Sequence, residues 1–155
     1  MRFVSCTTKT EKSAYEYISF RREESESRNP EGEVRFGLKG FVIPKEWSQV
    51  ASDIIAQKYF RNAGVPSRLK SVDEKGVPQW LWRKEADLDA LEKLPEVDRY
   101  GPEKSAKQVF NRLAGTWTYC GCNGGYFNEE RDAKAFQYEL RLRLSSRQCA
   151  HNSQQ

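Results

Sequence analysis

No apolar run in this 155-residue sequence approaches the ~18 residues that a membrane-crossing helix needs. The opening "MRFVSCTTKTEK" also lacks the apolar core of a secretory signal. Both absences lead us to expect a cytoplasmic protein with no membrane partner. Histidine is nearly missing, and the single His151 sits near a chain end with no orienting partner that can be named. That argues against Cys-His nucleophilic catalysis. The four cysteines are expected as thiols rather than disulfides in a reducing compartment. There is no basic tail or stripe. The 26 basic and 22 acidic side chains are interspersed and leave a formal charge of +4, so direct DNA binding is not expected.

The chain is long enough to bury one core without staples. Its first forty residues read as extended. "AYEYISFR" (Ala14 to Arg21) is a β-prone run, "REESESRNPEGE" a polar connection with Asn29, Pro30 and Gly32 as turn formers, and "VRFGLKGFVIP" a second run ending at Pro44. From Pro44 the period changes to helical. Trp47, Val50 and Ile54 mark one stripe, widened by Ala51, Ile55 and Tyr59, with Gly64 as the stop. "VPSRLKSVDEKGVPQWLWRKE" reads as a loop whose Trp80, Leu81 and Trp82 plug against the core rather than stack on bases. "ADLDALEKLP" is a short helix closed by Pro95.

Two further helices follow. In "GPEKSAKQVFNRLAGTW", Ala106, Val109, Phe110 and Leu113 fall on one face and Gly115 ends the element. In "NEERDAKAFQYELRLRLSSRQ", Asn128 is the expected N-cap and Ala133, Phe136, Leu140 and Leu144 the buried stripe. The expected fold is therefore mainly α, with a β-hairpin-like preface over residues 1–43, a helical domain over 44–150 and a stub over 151–155. No internal repeat is visible, and the polar ending reads as cut rather than finished.

The most chemical-looking stretch is "TWTYCGCNGG", Thr116 to Gly125. Cys120 and Cys122, with Cys149 and His151, would supply four zinc ligands. The C-x-C spacing is tighter than the usual two to four intervening residues, and in an extended chain it points the sulfurs to opposite faces. A metal site or redox pair is thus weighed against unligated thiols, and the thiols are favoured. "GCNGGYF" lacks the Lys-Ser/Thr ending of a phosphate loop, so its glycines are expected to set a turn between two helices, with positive φ at one of them.

"WSQVASDIIAQKYFRNAGVPSRL", "VPQWLWR", "SAKQVFNRLAGTWTY" and "GGYF", in this order, resemble the N-terminal region of class II ribonucleotide reductases. The resemblance covers residues 14 to 155. It implies adenosylcobalamin as cofactor, ribonucleotide substrates, nucleotide effectors, and an α/β barrel with radical-forming and reducing cysteines. The barrel, its reacting cysteines and the cobalamin over it would lie C-terminal to this chain. None of Cys6, Cys120, Cys122 or Cys149 matches a catalytic cysteine of the family, so no catalytic residue and no metal ligand are expected here.

"NSQQ" is similar to the family's Asn-Ser-Pro-Gln segment, whose serine contacts substrate. The resemblance therefore implies Ser153 as a substrate-binding residue, although Gln154 and His151 stand where the family carries prolines. Where the family has tryptophans flanking Gly121, this chain has Cys120 and Cys122. Each of these departures is one base change, which leads us to expect a truncated reductase gene copy, inactive alone. A reductase barrel or a homodimer mate is the expected protein partner. The alternative is a non-catalytic module that docks on a reductase or another protein.

Overall fold

The computed structural model describes residues 13–147. Among the described residues, five α-helices are combined with three two-stranded antiparallel sheets. The architecture of the described residues is helix-rich with small antiparallel sheets, a mixed α/β arrangement without a barrel.

The first sheet pairs β1 (Phe20–Arg28) with β2 (Val34–Pro44). β1 begins later than the run read from sequence: residues 14–17 form a turn, and the strand passes through the polar "REESESR". Along β1 the odd-numbered Arg21, Glu23 and Ser25 are turned inward and the even-numbered Arg22, Glu24 and Glu26 outward. A period of two carried by polar side chains on both faces leaves no hydrophobic alternation to read. Polar partners meet the inward residues: Arg21 donates to the carbonyls of Lys45 (3.1 Å) and Trp47 (2.9 Å). The hairpin closes through Asn29, whose Oδ1 accepts from the Glu33 amide at 2.7 Å, with Gly32 at φ +85°. Gly40, at φ +68°, is the extra residue where the register shifts between Glu23/Glu24.

β2 delivers Phe41 and Ile43, both fully buried, to the core. There they join Trp47, Ile55, Ala56, Phe60, Ala106, Val109, Phe110 and Leu144. Helix α1 (Gln49–Lys58) starts after Pro44, at the N-cap Ser48, whose hydroxyl accepts from the Ala51 amide. Its buried face is Ser52, Ile55 and Ala56, so the predicted Val50/Ile54 stripe is rotated out of the core.

The segment read as a loop holds β3 (Val65–Pro66), β4 (Leu69–Ser71), a 3-10 turn over Gln79–Leu81 and β5 (Lys84–Ala86). β4 pairs with β5. Short helices α2 (Leu88–Glu92) and α3 (Glu96–Arg99) flank Pro95, and β6 (Tyr100–Gly101) pairs with β3. These two- and three-residue ladders are too short for a periodic signal.

Helix α4 (Ala106–Asn123) opens on a capping box: Ser105 caps the first turn and Gln108 Oε1 accepts from the Ser105 amide at 3.0 Å. Ala106, Val109 and Phe110 are buried as expected, and the stripe continues through Ala114 and Thr118. The predicted stop at Gly115 does not occur, because a lone glycine costs a helix interior only about 1 kcal/mol and the buried stripe continues past it. Helix α5 (Glu130–Ser145) folds back on α4, with Glu129 rather than Asn128 at its N-cap position. Ala133 and Leu144 are buried as read, while Phe136 and Leu140 are half-buried and Ala135 and Tyr138 join the covered surface.

Candidate functional site

Cys120 and Cys122 lie within the last turns of α4, not in the interhelical turn. Residues two apart on a helix are separated by about 200° around the axis, so the sulfurs diverge here as they would in a strand. Cys120 is exposed and Cys122 half-buried, both as free thiols. Burial pushes the Cys122 thiol up, away from thiolate formation. Among the described residues no group of three or more His, Cys, Asp or Glu is placed to hold a metal ion. Cys6, Cys149, His151 and Ser153 lie outside the described residues.

The glycines after the cysteines end the helix. The Tyr126 amide donates to the Gly121 carbonyl (2.9 Å) and the Gly125 amide to that of Cys122 (3.1 Å), with Gly125 at φ +66°. This is a Schellman cap, the positive-φ turn expected from "NGG". Gly121 is tied to glycine by packing rather than by φ: a Cβ there would stand 2.5 Å from the Phe127 ring. Phe127 in turn packs on Phe136 of α5, centroids 5.3 Å apart. The small residue lets the Phe127 ring lie directly on the α4 backbone.

A buried ion pair ties the middle of the fold together. Glu103, 4% exposed, accepts from Arg112 at 3.0 and 3.3 Å and from the Arg61 amide at 3.0 Å. Arg112 also donates to the Tyr59 carbonyl at 2.8 Å. The pair therefore fastens the end of α1 to α4. Neither residue was singled out from sequence, because their partners are far away in the chain and no local pattern announces them.

A second cluster surrounds Tyr15. Its hydroxyl donates to Asn111 Oδ1 at 2.9 Å, and Lys107 Nζ lies 4.1 Å from the Phe20 ring centroid and 5.4 Å from that of Tyr15. Burial pushes the Tyr15 phenol up to about 12, with the Arg141 charge pulling back. Burial holds Arg141 below its ordinary value. Trp80 anchors to α5 through Glu130 Oε1 (2.8 Å), and Lys134 stands over its ring. Leu81 is buried beside it, and Trp82 donates to the Val77 carbonyl at 3.0 Å. Trp80 and Trp82 are half-buried structural side chains with their indole N–H groups satisfied. Glu130 is held below its usual value, chiefly by the hydrogen bond from Lys134.

The shifts of Tyr15, Cys122 and Glu130 all run away from neutral pH. A general acid or base is instead tuned toward it. The described residues supply structural polar networks, and several apolar side chains stand exposed among them, Val50 and Ile54 on α1 at 67% and 51% and Val97 at 84%.

Residues 21–147 match a family model described as class II vitamin B12-dependent ribonucleotide reductase. A protein of Bradyrhizobium diazoefficiens named vitamin B12-dependent ribonucleotide reductase is 55% identical over 155 residues, which is 100% of this chain and 12% of its own length. One of Agrobacterium fabrum with the same name is 52% identical over the same shares. A third, of Streptomyces coelicolor, is 26% identical over 141 residues, covering 90% of this chain and 11% of the relative. The chain thus spans about 12% of the length of the first two relatives.

Proposed function

This chain belongs to the class II vitamin B12-dependent ribonucleotide reductase family, and from that premise we propose that it is the N-terminal portion of a cobalamin-dependent ribonucleoside-diphosphate reductase. The complete enzyme would convert ribonucleotides to deoxyribonucleotides, supplying DNA precursors in the cytoplasm under control of nucleotide effectors. The observation that carries this reading is identity of 55% across the whole chain within 12% of the relative.

Cobalamin, in its adenosyl form, would supply the radical that starts reduction. The described residues do not fit as its holding set, since they include no histidine and no cluster suited to a metal ion. No chemical step is therefore routed through them, and the cofactor and the reacting cysteines are assigned to the remainder of the enzyme. The part left to this chain is scaffolding, with Ser153 as the candidate contact to phosphate or ribose oxygens of substrate.

A chimera in which this sequence replaces the matching region of the Bradyrhizobium relative tests the reading. The chimera is expected to turn over ribonucleoside diphosphate with adenosylcobalamin and a dithiol, and the isolated chain is not. Turnover by the isolated chain, or a folded chimera without turnover, overturns the proposal. The exposed Val50 and Ile54 also favour a second reading, a non-catalytic module docking on a reductase. Binding of the isolated chain to a full-length relative at fixed stoichiometry would support that alternative.

A further inference from the structure

Helix α1 is apolar on two sides, and only one of them has a partner within the described fold. Ile55 and Ala56 are buried in the core, whereas Val50 and Ile54, one turn apart on another face, stand open. The exposure does not come from a loosely held helix. Ser48 caps its first turn, Gln49 Nε2 donates to the Glu24 carbonyl at 3.2 Å, and Ser52 donates to the Ser48 carbonyl at 2.9 Å. Helix propensity does not account for the two residues either, because β-branched side chains are weaker helix formers than the alanine, glutamate or lysine an exposed face could carry.

The share of the relatives' length outside the matched region narrows the occupant of this face. Trp47, just ahead of α1, donates its indole N–H to the Ser145 carbonyl at 2.9 Å. The residue ahead of α1 therefore meets the C-terminal end of α5 on the core side, where Trp47 is buried. The region matched by this chain covers 12% of each of two relatives aligned over its whole length, so most of their polypeptide lies outside it. We propose that the Val50–Ile54 face of α1 is the docking surface for that remaining reductase polypeptide. The inference rests on the functional reading above and specifies the surface through which the scaffold would act.

Cysteine accessibility in intact proteins tests it. One cysteine is placed at the position matching Ile54 in the full-length Bradyrhizobium relative, and Ile54→Cys is made in this chain. A second pair is made at Val50. Peptide-resolved maleimide labelling is compared, each rate normalised to the same protein in denaturant, with turnover of the relative as its folding check. The expected result is labelling at least about tenfold slower in the full-length protein at one or both positions, the protection that burial of a site confers over an exposed one. Equal rates at both positions in a relative that still turns over would sink the inference while leaving the family reading and the chimera test untouched. Labelling of Ile54→Cys in this chain that slows as protein concentration rises would identify a second copy as the occupant and also overturn it.

Discussion

Replacing Glu103 with alanine is expected to destabilise this fold by about 2–4 kcal/mol, somewhat below the ~3–5 kcal/mol typical of breaking a buried ion pair. The working begins from burial: the side chain of Glu103 is 5% exposed and that of Arg112 29%. Removing the carboxylate orphans the Arg61 amide and takes away two of the three hydrogen bonds that the Arg112 guanidinium donates. Hydrogen bonds to a charged group are worth about 1.5–3 kcal/mol each, but they are not additive. Arg112, being partly exposed, recovers some loss by turning to water, which lowers the upper bound. Glu103→Gln keeps the shape and an acceptor, so it is expected to cost about 1–2 kcal/mol, near one neutral-for-charged hydrogen-bond exchange. Arg112→Met with Glu103 retained leaves the more deeply buried charge unpaired and is expected to be the worst of the three. Urea unfolding followed by tryptophan fluorescence measures all of them, and at this chain length 3 kcal/mol corresponds to a drop of about 6–12 °C in Tm. An alanine variant within about 0.5 kcal/mol of wild type, inside the scatter of ordinary surface substitutions, would refute the reasoning. Equal costs for Glu103→Ala and Glu103→Gln would refute the assignment of the cost to lost hydrogen bonds.

Three other outcomes follow from the same geometry. Gly121→Ala is expected to cost about 1–3 kcal/mol by pressing a Cβ into the Phe127 ring, and Gly125→Ala about 1–2 kcal/mol from its positive φ; only the first should be relieved by Phe127→Leu in a double-mutant cycle. The Tyr15 pKa, about 12, lies above the ordinary value, so its stabilisation is full below pH ~10 and lost as pH rises through ~12. Wild type should therefore lose about 2 kcal/mol more than Tyr15→Phe across that window, as read from urea midpoints; equal losses would contradict it. In a background lacking Cys6 and Cys149, a maleimide should modify exposed Cys120 before Cys122, whose thiol burial pushes up; the reverse order in peptide mapping would count against the placement of the two sulfurs.

Features that depend on near neighbours in the chain were legible before the structure. The Ala106/Val109/Phe110 face, the strand ending at Pro44 and the positive-φ turn after "NGG" all appear where read, because each is written in residues within one or two turns. Readings failed where a distant partner decided. Gly115 did not stop α4, since the buried stripe runs on through Thr118. The β1 strand was hidden by its polar side chains; β2 pairs its backbone, and the carbonyls of Lys45 and Trp47 accept from Arg21.

The same division separates the family from the surface. The order and spacing of four motif blocks, a property of the chain alone, were enough to point to the reductase family, and this remained so although Cys120 and Cys122 depart from its pattern. Which face of α1 meets the core is not in the helix itself, because both the Ile55 and the Ile54 sides are apolar enough to be buried. Tertiary packing chose between them: Phe41, Phe60 and Phe110 fill the core with Ile55 and Ala56, and leave Val50 and Ile54 facing outward. Periodicity can register an apolar stripe, but the side that is covered depends on where the other elements come to rest.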